Sequence, residues 1–298
     1  MLNKKIGAII ITYNDVHYTL FLIDSVLKSN YKEIDILVVD NCSDAVHKEK
    51  LNTEIKTKFP SVALLYLTEP RGYGGACNLG AEYFAEKGIE VLLFLNNDVV
   101  LDKDCIPQLL GDLGEDIVLV GPKVYLGFSK IIYSCGGFFN QTFLTIKNRG
   151  NGERDNGQYD EREEVEFING CAFLILTKTF LGLGGFDEKF YYYYEETDLC
   201  YRLNKAGLKI LYDPKAIAYH MVSKTFGTES KKSMYHLVRS HLYFIDKHSK
   251  EKKGRIFLLG LGYIFYNYTV KFIYTRIGQI LTRQIAVFKG VIDFLKAK

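Results

Sequence analysis

None of the six cysteines (Cys42, Cys77, Cys105, Cys135, Cys171, Cys200) belongs to a C-x-x-C pair. That spacing excludes the usual zinc frame and a paired disulfide framework, and predicts buried free thiols in a reducing compartment. No secretory leader is visible: the apolar run at 6–12 is short, β-branched and followed at once by Tyr13-Asn14-Asp15. Internal repeats and low-complexity tracts are also missing, and no uninterrupted apolar run reaches the roughly 20 residues of a membrane span. The net charge of +3 is too small to argue for a nucleic-acid partner. The body of the protein is therefore expected in the cytoplasm, without nucleic acid.

The charge that is present is unevenly placed. Nine Lys or Arg against two acids fall from Glu251 onward, net +7, so the preceding 250 residues carry −4. The tail also carries an apolar stretch at 256–266, interrupted by Asn267, Lys271 and Arg276. An amphipathic helix or helix pair on an anionic membrane surface fits this pattern, and the alternative is a helical cap folded onto the domain. The protein would then be peripheral at the inner face of the cell membrane.

With 48% apolar and 24% charged residues, 298 residues suffice for one large α/β domain with an appendage. The first half alternates apolar runs with helical patterns. Strands are predicted at 6–12, 34–40, 62–67 and 91–95, helices at 16–28, 44–58 and 76–87, and a glycine turn at 72–75. Strands apolar throughout and separated by helices predict a mostly parallel, Rossmann-like sheet covered on both faces. Ligands of such sheets sit at the carboxyl ends of the strands. Those ends carry Thr12-Tyr13-Asn14, Asp40-Asn41, Glu69-Pro70-Arg71 and Asn96-Asn97-Asp98. Farther on, 131–146 reads as a hairpin, 148–164 as a polar mobile loop, and 165–176 as a strand broken by Asn169-Gly170. The expected organisation is a single domain in two halves, 1–121 with the ligand-binding rim and 122–250, followed by the tail at 251–298.

One segment concentrates chemistry: Gly184-Gly185-Phe186-Asp187-Glu188, four tyrosines at 191–194, then Glu195-Glu196-Thr197-Asp198 at a helix start. At about 100° per residue, Glu196 shares a stripe with Leu199, Cys200 and Leu203, so it is expected to face inward. Asp198 is expected on the other side, paired with Arg202 at i,i+4. An inward carboxylate beside an aromatic wall is a candidate general base. The alternative is that both glutamates merely complement the helix dipole. Asp98, rigid at a strand end beside Asn96 and Asn97, suits a hard cation under a diphosphate, or an Asx turn. Asp40 suits a ribose or pyrimidine N–H, or a helix cap. Arg71 with Gly72-Tyr73-Gly74-Gly75 suits an anion. As a dinucleotide fingerprint that run lacks its third glycine, which leaves a nicotinamide oxidoreductase as a poor competitor.

Taken in order, Ile9-Ile10-Ile11-Thr12-Tyr13-Asn14, Val38-Val39-Asp40-Asn41-Cys42-Ser43, Arg71-Gly72-Tyr73-Gly74-Gly75-Ala76-Cys77-Asn78, Leu95-Asn96-Asn97-Asp98-Val99, Gly184 to Glu188 and Glu195-Glu196-x-Asp198-Leu199 resemble family 2 glycosyltransferases. They look most like the branch of bacterial rhamnosyltransferases of surface-polysaccharide assembly, over about residues 5–245. The resemblance implies a GT-A fold, with 1–121 the nucleotide-sugar-binding half and 122–250 the acceptor-binding half of one domain, and an inverting transfer from a UDP- or dTDP-linked sugar to a glycan or lipid-linked acceptor. It places the nucleoside on Thr12, Tyr13, Asn14 and Asp40, with Arg71 and Gly72 on the nucleotide side. Asn96-Asn97-Asp98 matches the family's D-x-D element, whose last acid holds Mg²⁺ or Mn²⁺, and His220 matches a histidine that in some members helps hold the metal. Glu196 matches the general base, with Glu195 beside it as the other candidate. Three departures stand out: only Asp98 of the D-x-D element is acidic, Glu replaces the usual Asp at the base, and Pro70 stands where many relatives have Asn. A non-catalytic nucleotide-sugar-binding scaffold subunit is the alternative function.

Overall fold

Strand β1 (Ile6–Thr12) is buried along its whole length, because it lies inside a sheet covered on both faces. The computed structural model describes residues 4–221, 231–249 and 289–294, with single positions 262 and 296. After β1 come α1 (Val16–Leu27), β2 (Ile34–Asp40), α2 (Ala45–Lys58), β3 (Ala63–Tyr66), α3 (Gly72–Glu86) and β4 (Val91–Asn96). Then follow β5 (Val99–Leu101), α4 (Cys105–Asp112), β6 (Ile117–Leu126), β7 (Ile132–Ser134), β8 (Gly137–Asn140) and β9 (Thr145–Asn148). The described chain continues with β10 (Glu163–Val165), β11 (Ala172–Leu176), α5 (Thr177–Gly182), α6 (Glu195–Lys205), β12 (Lys209–His220) and α7 (Lys231–His248).

The main sheet runs β10-β12-β6-β11-β4-β1-β2-β3, with β5 added to β12 and β7 to β6. Its β3-β2-β1-β4 half is parallel, as the apolar runs predict. β11 is antiparallel to both β4 and β6, while β12 is again parallel to β6. Register brings the polar strand ends together, since Thr12 pairs Asp40 and Ile11 pairs Asn96. At the other end of the rim, His220 of β12 pairs Val99, the residue after Asp98. The division expected at 121/122 falls inside β6, so the two halves share one continuous sheet.

Three local expectations are corrected. The glycine run at 72–75 is the first turn of α3, not a turn before it. Its starting geometry is held from afar: Asn41 Oδ1 accepts the Arg71 N–H (3.0 Å) and Tyr191 O accepts the Tyr73 N–H (3.0 Å). The hairpin lies at 137–148, while 132–134 joins the main sheet. The polar stretch 148–164 is fastened instead of mobile. Lys123, 2% exposed, pairs with Asp155 (3.1 Å) and Asp160, and Tyr125 donates to Asp155. A buried ammonium demands such partners, so Asp155 and Asp160 are structural. Backbone bonds from Ile132 N to Glu153 O and from Asp155 N to Lys130 O complete the seam.

Most of the basic tail lies outside the described residues. Its described part rests on α7, with Phe294 buried and the Tyr235 hydroxyl donating to Asp293 (3.0 Å). Among the described residues no helix is long and apolar enough to cross a membrane.

Candidate functional site

At the β1–β2 end of the rim, Asp40 is fully buried. Its Oδ1 accepts the Ser43 N–H (3.0 Å), with Lys48 Nζ 3.8 Å away, and its Oδ2 has no partner among the described residues. The cap of α2 is Asp44, which accepts the His47 N–H (2.9 Å), so capping is not what Asp40 does. An orphaned buried carboxylate oxygen costs about 1–3 kcal/mol, a cost that a ligand N–H or O–H would offset. Thr12 and Asn14 have their side chains committed elsewhere. The Thr12 hydroxyl donates to Asp15 O and accepts from Thr19, while Asn14 Oδ1 accepts the Asp44 N–H. Of the three neighbours only Tyr13, 36% exposed, presents its side chain outward.

Arg71 is not aimed at an open anion site. Its guanidinium bonds both oxygens of Glu188 (3.0 and 2.9 Å), tying the start of α3 to the 184–194 segment. Gly72, at φ +70°, permits that closure, since a Cβ there would lie 2.3 Å from the Tyr191 carbonyl oxygen. Asn41 Nδ2 donates to Gly72 O (3.1 Å), adding a residue to the rim whose role local sequence did not announce.

Across the sheet, Asp98 Oδ1 lies 3.1 Å from His220 Nε2, and both residues are buried. His220 Nδ1 is an orphan among the described residues, and the Tyr133 ring stands edge-on to the imidazole at 4.6 Å. Asn97 Nδ2 reaches Thr19 Oγ1 at 3.4 Å, and the Asn96 N–H is taken by Cys171 O. No cluster of three metal-type side chains occurs among the described residues. A carboxylate and an imidazole nevertheless fit a divalent ion that takes its other ligands from a diphosphate and water. The buried, half-satisfied His220 is the observation that favours such a fit.

Three of the four tyrosines preceding α6 adopt left-handed backbone: Tyr191, Tyr193 and Tyr194, at φ 65°, 64° and 74°. Such conformations cost on the order of 1 kcal/mol or more each and persist where surrounding bonds impose them. Here Ser240 of α7 donates to Phe190 O (3.0 Å) and Tyr192 O (2.8 Å), and Tyr193 meets Ser233 at 2.7 Å. The strained segment delivers Glu195 and Glu196 as the first residues of α6, where the helix dipole favours negative charge.

The two glutamates differ in access. Glu195 is 3% exposed and packs its methylenes where Gly74 lacks a Cβ, whereas Glu196 is half-buried beside Gly170. The expected stripe is thus corrected: Glu195 and Asp198 are more deeply buried than Glu196. The reason is that α6 is enclosed on two sides, by the sheet and by α7, so no single stripe describes it. Burial, reinforced by Glu196, pushes the Glu195 carboxyl up to about 8, and burial raises Glu196 as well. Glu195 keeps in the folded state a proton that the unfolded chain loses above its ordinary value of 4.5. Stability should therefore fall as pH rises from that value through about 8. We expect the wild-type Tm to drop by about 5 °C between weakly acidic and weakly alkaline buffer, and Glu195→Gln to flatten the drop. Parallel pH–Tm curves for the two proteins would refute the assignment.

Glu196 packs against Gly170, and the carbonyl of the next residue, Cys171, accepts the Asn96 N–H (2.9 Å) two residues before Asp98, so both acids lie by the end of β4 and the start of β11. The rim thus holds an orphaned acceptor, a carboxylate–imidazole pair and a half-buried acid. The family model described as Glycosyl transferase family 2 matches residues 8–174, more than half of the chain. The chain belongs to glycosyl transferase family 2. Among its relatives, dTDP-rhamnosyl transferase RfbF of Shigella flexneri is 25% identical over 224 residues, covering 74% of this chain and 70% of that one. Rhamnosyltransferase WbbL of Escherichia coli K12 is 27% identical, over 57% of this chain and 72% of its own. The mannosyltransferase PcManGT of Pyrobaculum calidifontis, solved with GDP-Man and Mn²⁺, superposes with a TM-score of 0.62. It shares 13% identity over 100% of this chain and 89% of its own, a likeness that shows the GT-A fold alone.

As a family 2 glycosyltransferase the chain has site features that sequence reasoning missed. Asn41 is placed on the rim by its strand end, but its bonds to Arg71 and Gly72 had no local signal. Tyr133 and α7 gave no local signal, since their partners are 87 residues away (His220) or lie in the 187–198 segment.

Proposed function

We propose that this glycosyltransferase moves a sugar from a UDP- or dTDP-linked donor, with rhamnose a candidate, to a glycan or lipid-linked acceptor in cell-surface polysaccharide synthesis. The observation that carries this is the half-buried Glu196, packed on Gly170 at the start of β11, beside the end of β4 that leads to the Asp98–His220 pair. The names of the rhamnosyl-transferring relatives support the choice of donor.

The reaction proposed is a single inverting displacement. Glu196 accepts the proton of an acceptor hydroxyl, whose oxygen bonds the anomeric carbon as the bond to the diphosphate oxygen breaks. The nucleoside diphosphate leaves with that electron pair. Asp40 Oδ2 would accept from the pyrimidine N–H or a ribose hydroxyl, with Tyr13 beside it. Asp98 and His220 would hold Mg²⁺ or Mn²⁺, which when bound offsets charge on the leaving diphosphate. The basic tail would keep the enzyme on an anionic membrane surface, near a lipid-linked acceptor at the cytoplasmic leaflet.

A thermal-shift and turnover panel of UDP-, dTDP- and GDP-linked sugars, with Mn²⁺ or with chelator, tests the proposal. Stabilisation by pyrimidine donors and transfer that needs the metal are expected. Asp98→Asn and His220→Ala should each lower metal-supported transfer roughly a hundredfold while leaving metal-free nucleotide binding near wild type. Tight nucleotide binding with neither transfer nor donor hydrolysis would instead establish the scaffold alternative.

A further inference from the structure

We infer that Tyr133 hydrogen-bonds the transferred sugar of the donor through its hydroxyl and so helps decide which sugar is accepted, an inference that rests on the donor reading above. Tyr133 sits in β7, whose neighbours Ile132 and Ser134 are both buried, so the strand's alternation turns Tyr133 to the opposite face. On that face its ring stands edge-on to His220, at 4.6 Å between centroids and 75° between planes. Its backbone is fixed: Asn148 and Asn151 both donate to the Tyr133 carbonyl, at 3.3 and 2.8 Å. The hydroxyl, in contrast, has no hydrogen-bond partner among the described residues, although the residue is only partly exposed.

Position then identifies the ligand. His220 and Asp98 mark the diphosphate side of the site, and Glu196 marks the side from which the acceptor attacks. In an in-line displacement the sugar ring must lie between leaving group and base. Tyr133, on a rigid strand with its ring on His220 and so beside the Asp98–His220 pair, offers a donor–acceptor hydroxyl to that ring. A pyranosyl hydroxyl is the chemistry it fits, because a phenol can donate to it and accept from it at once. A site built to bond one hydroxyl discriminates against sugars that lack it.

The test compares bare diphosphates with their sugar esters by calorimetry in Mn²⁺, using UDP against UDP-N-acetylglucosamine and dTDP against dTDP-rhamnose. Tyr133→Phe removes only the hydroxyl and keeps the ring on His220. It should bind the diphosphate as wild type does and the matching sugar ester roughly tenfold more weakly, the loss of one neutral hydrogen bond. Tyr133→Leu, which also removes the ring, should weaken Mn²⁺ binding in addition. Equal losses for diphosphate and sugar ester in Tyr133→Phe, or no loss for either, would overturn the inference. A wild-type protein that binds sugar esters with this preference but never transfers would sink the transfer reading alone.

Discussion

Replacing Glu196 by glutamine is expected to lower transfer by about a thousandfold while nucleotide and nucleotide-sugar binding stay within a factor of two or so. Glutamine has the same length and keeps the packing beside Gly170, where the Glu196 methylenes lie 3.1 Å from the place a Cβ would occupy. What it loses is basicity. The uncharged side chain also escapes the desolvation that raises the Glu196 carboxyl, so the variant should be at least as stable as wild type. The sign with pH follows: the base works only when ionised, so wild-type turnover should fall as pH drops through the raised carboxyl value. Steady-state rates at saturating donor, with binding measured separately, decide the matter. Near-full turnover in Glu196→Gln with loss in Glu195→Gln would move the base to Glu195. Burial argues against that outcome, because Glu195 is 3% exposed and packed against Gly74 of α3.

The parts of the fold legible in the sequence were those specified locally. β1, β2 and β4 announce themselves as unbroken apolar runs, and their polar last residues were placed on one rim because parallel register aligns strand ends. The Thr12–Asp40 pairing is that alignment. The parts that were not legible depend on partners far along the chain. Gly72 to Gly75 read as a turn because glycine favours turns, yet Asn41 and Tyr191 cap the helix that these residues begin. The acids at 155 and 160 fall in a stretch that reads as a mobile polar loop, yet a lysine buried in β6 claims them. His220 carries no signal alone and gains meaning only from the resemblance in motif order. The structure then set it 3.1 Å from Asp98, 122 residues away. Charge alone points Arg71 at an anion, and the structure gives its guanidinium to Glu188.

The helix face rule failed most plainly at Asp198, and that failure predicts the largest loss of stability. Asp198 is wholly buried and accepts from Arg202 Nε (2.7 Å), Lys247 Nζ (2.8 Å) and His248 Nε2 (2.8 Å). Lys247 also bonds Asp187 (2.7 Å), so α6, α7 and the segment before the tyrosines meet at one polar knot. Burial opposes the ionised form, but the His248 bond, the Arg202 charge and Lys247 outweigh it and hold the carboxyl below its usual 3.8. Its contribution is therefore present at neutral pH and disappears only as pH falls below that ordinary value. Asp198→Ala should cost about 3 kcal/mol, because it strands the Arg202 and Lys247 cations and the His248 ring, all only 11–25% exposed. The Tm should fall by about 8 °C. Asp198→Asn, which keeps an acceptor oxygen but not the charge, should lose about half as much. Urea unfolding of both variants provides the measurement, and a cost below about 0.5 kcal/mol for alanine would show that the pairs are no better than exposed ones. The loss should reach the chemistry too. α7 holds the Phe190 and Tyr192 carbonyls through Ser240, and those residues set the left-handed run that delivers Glu196. At temperatures where Asp198→Ala is still folded, kcat should fall while nucleotide affinity holds, since Asp40 and Tyr13 belong to strand ends that the knot does not touch.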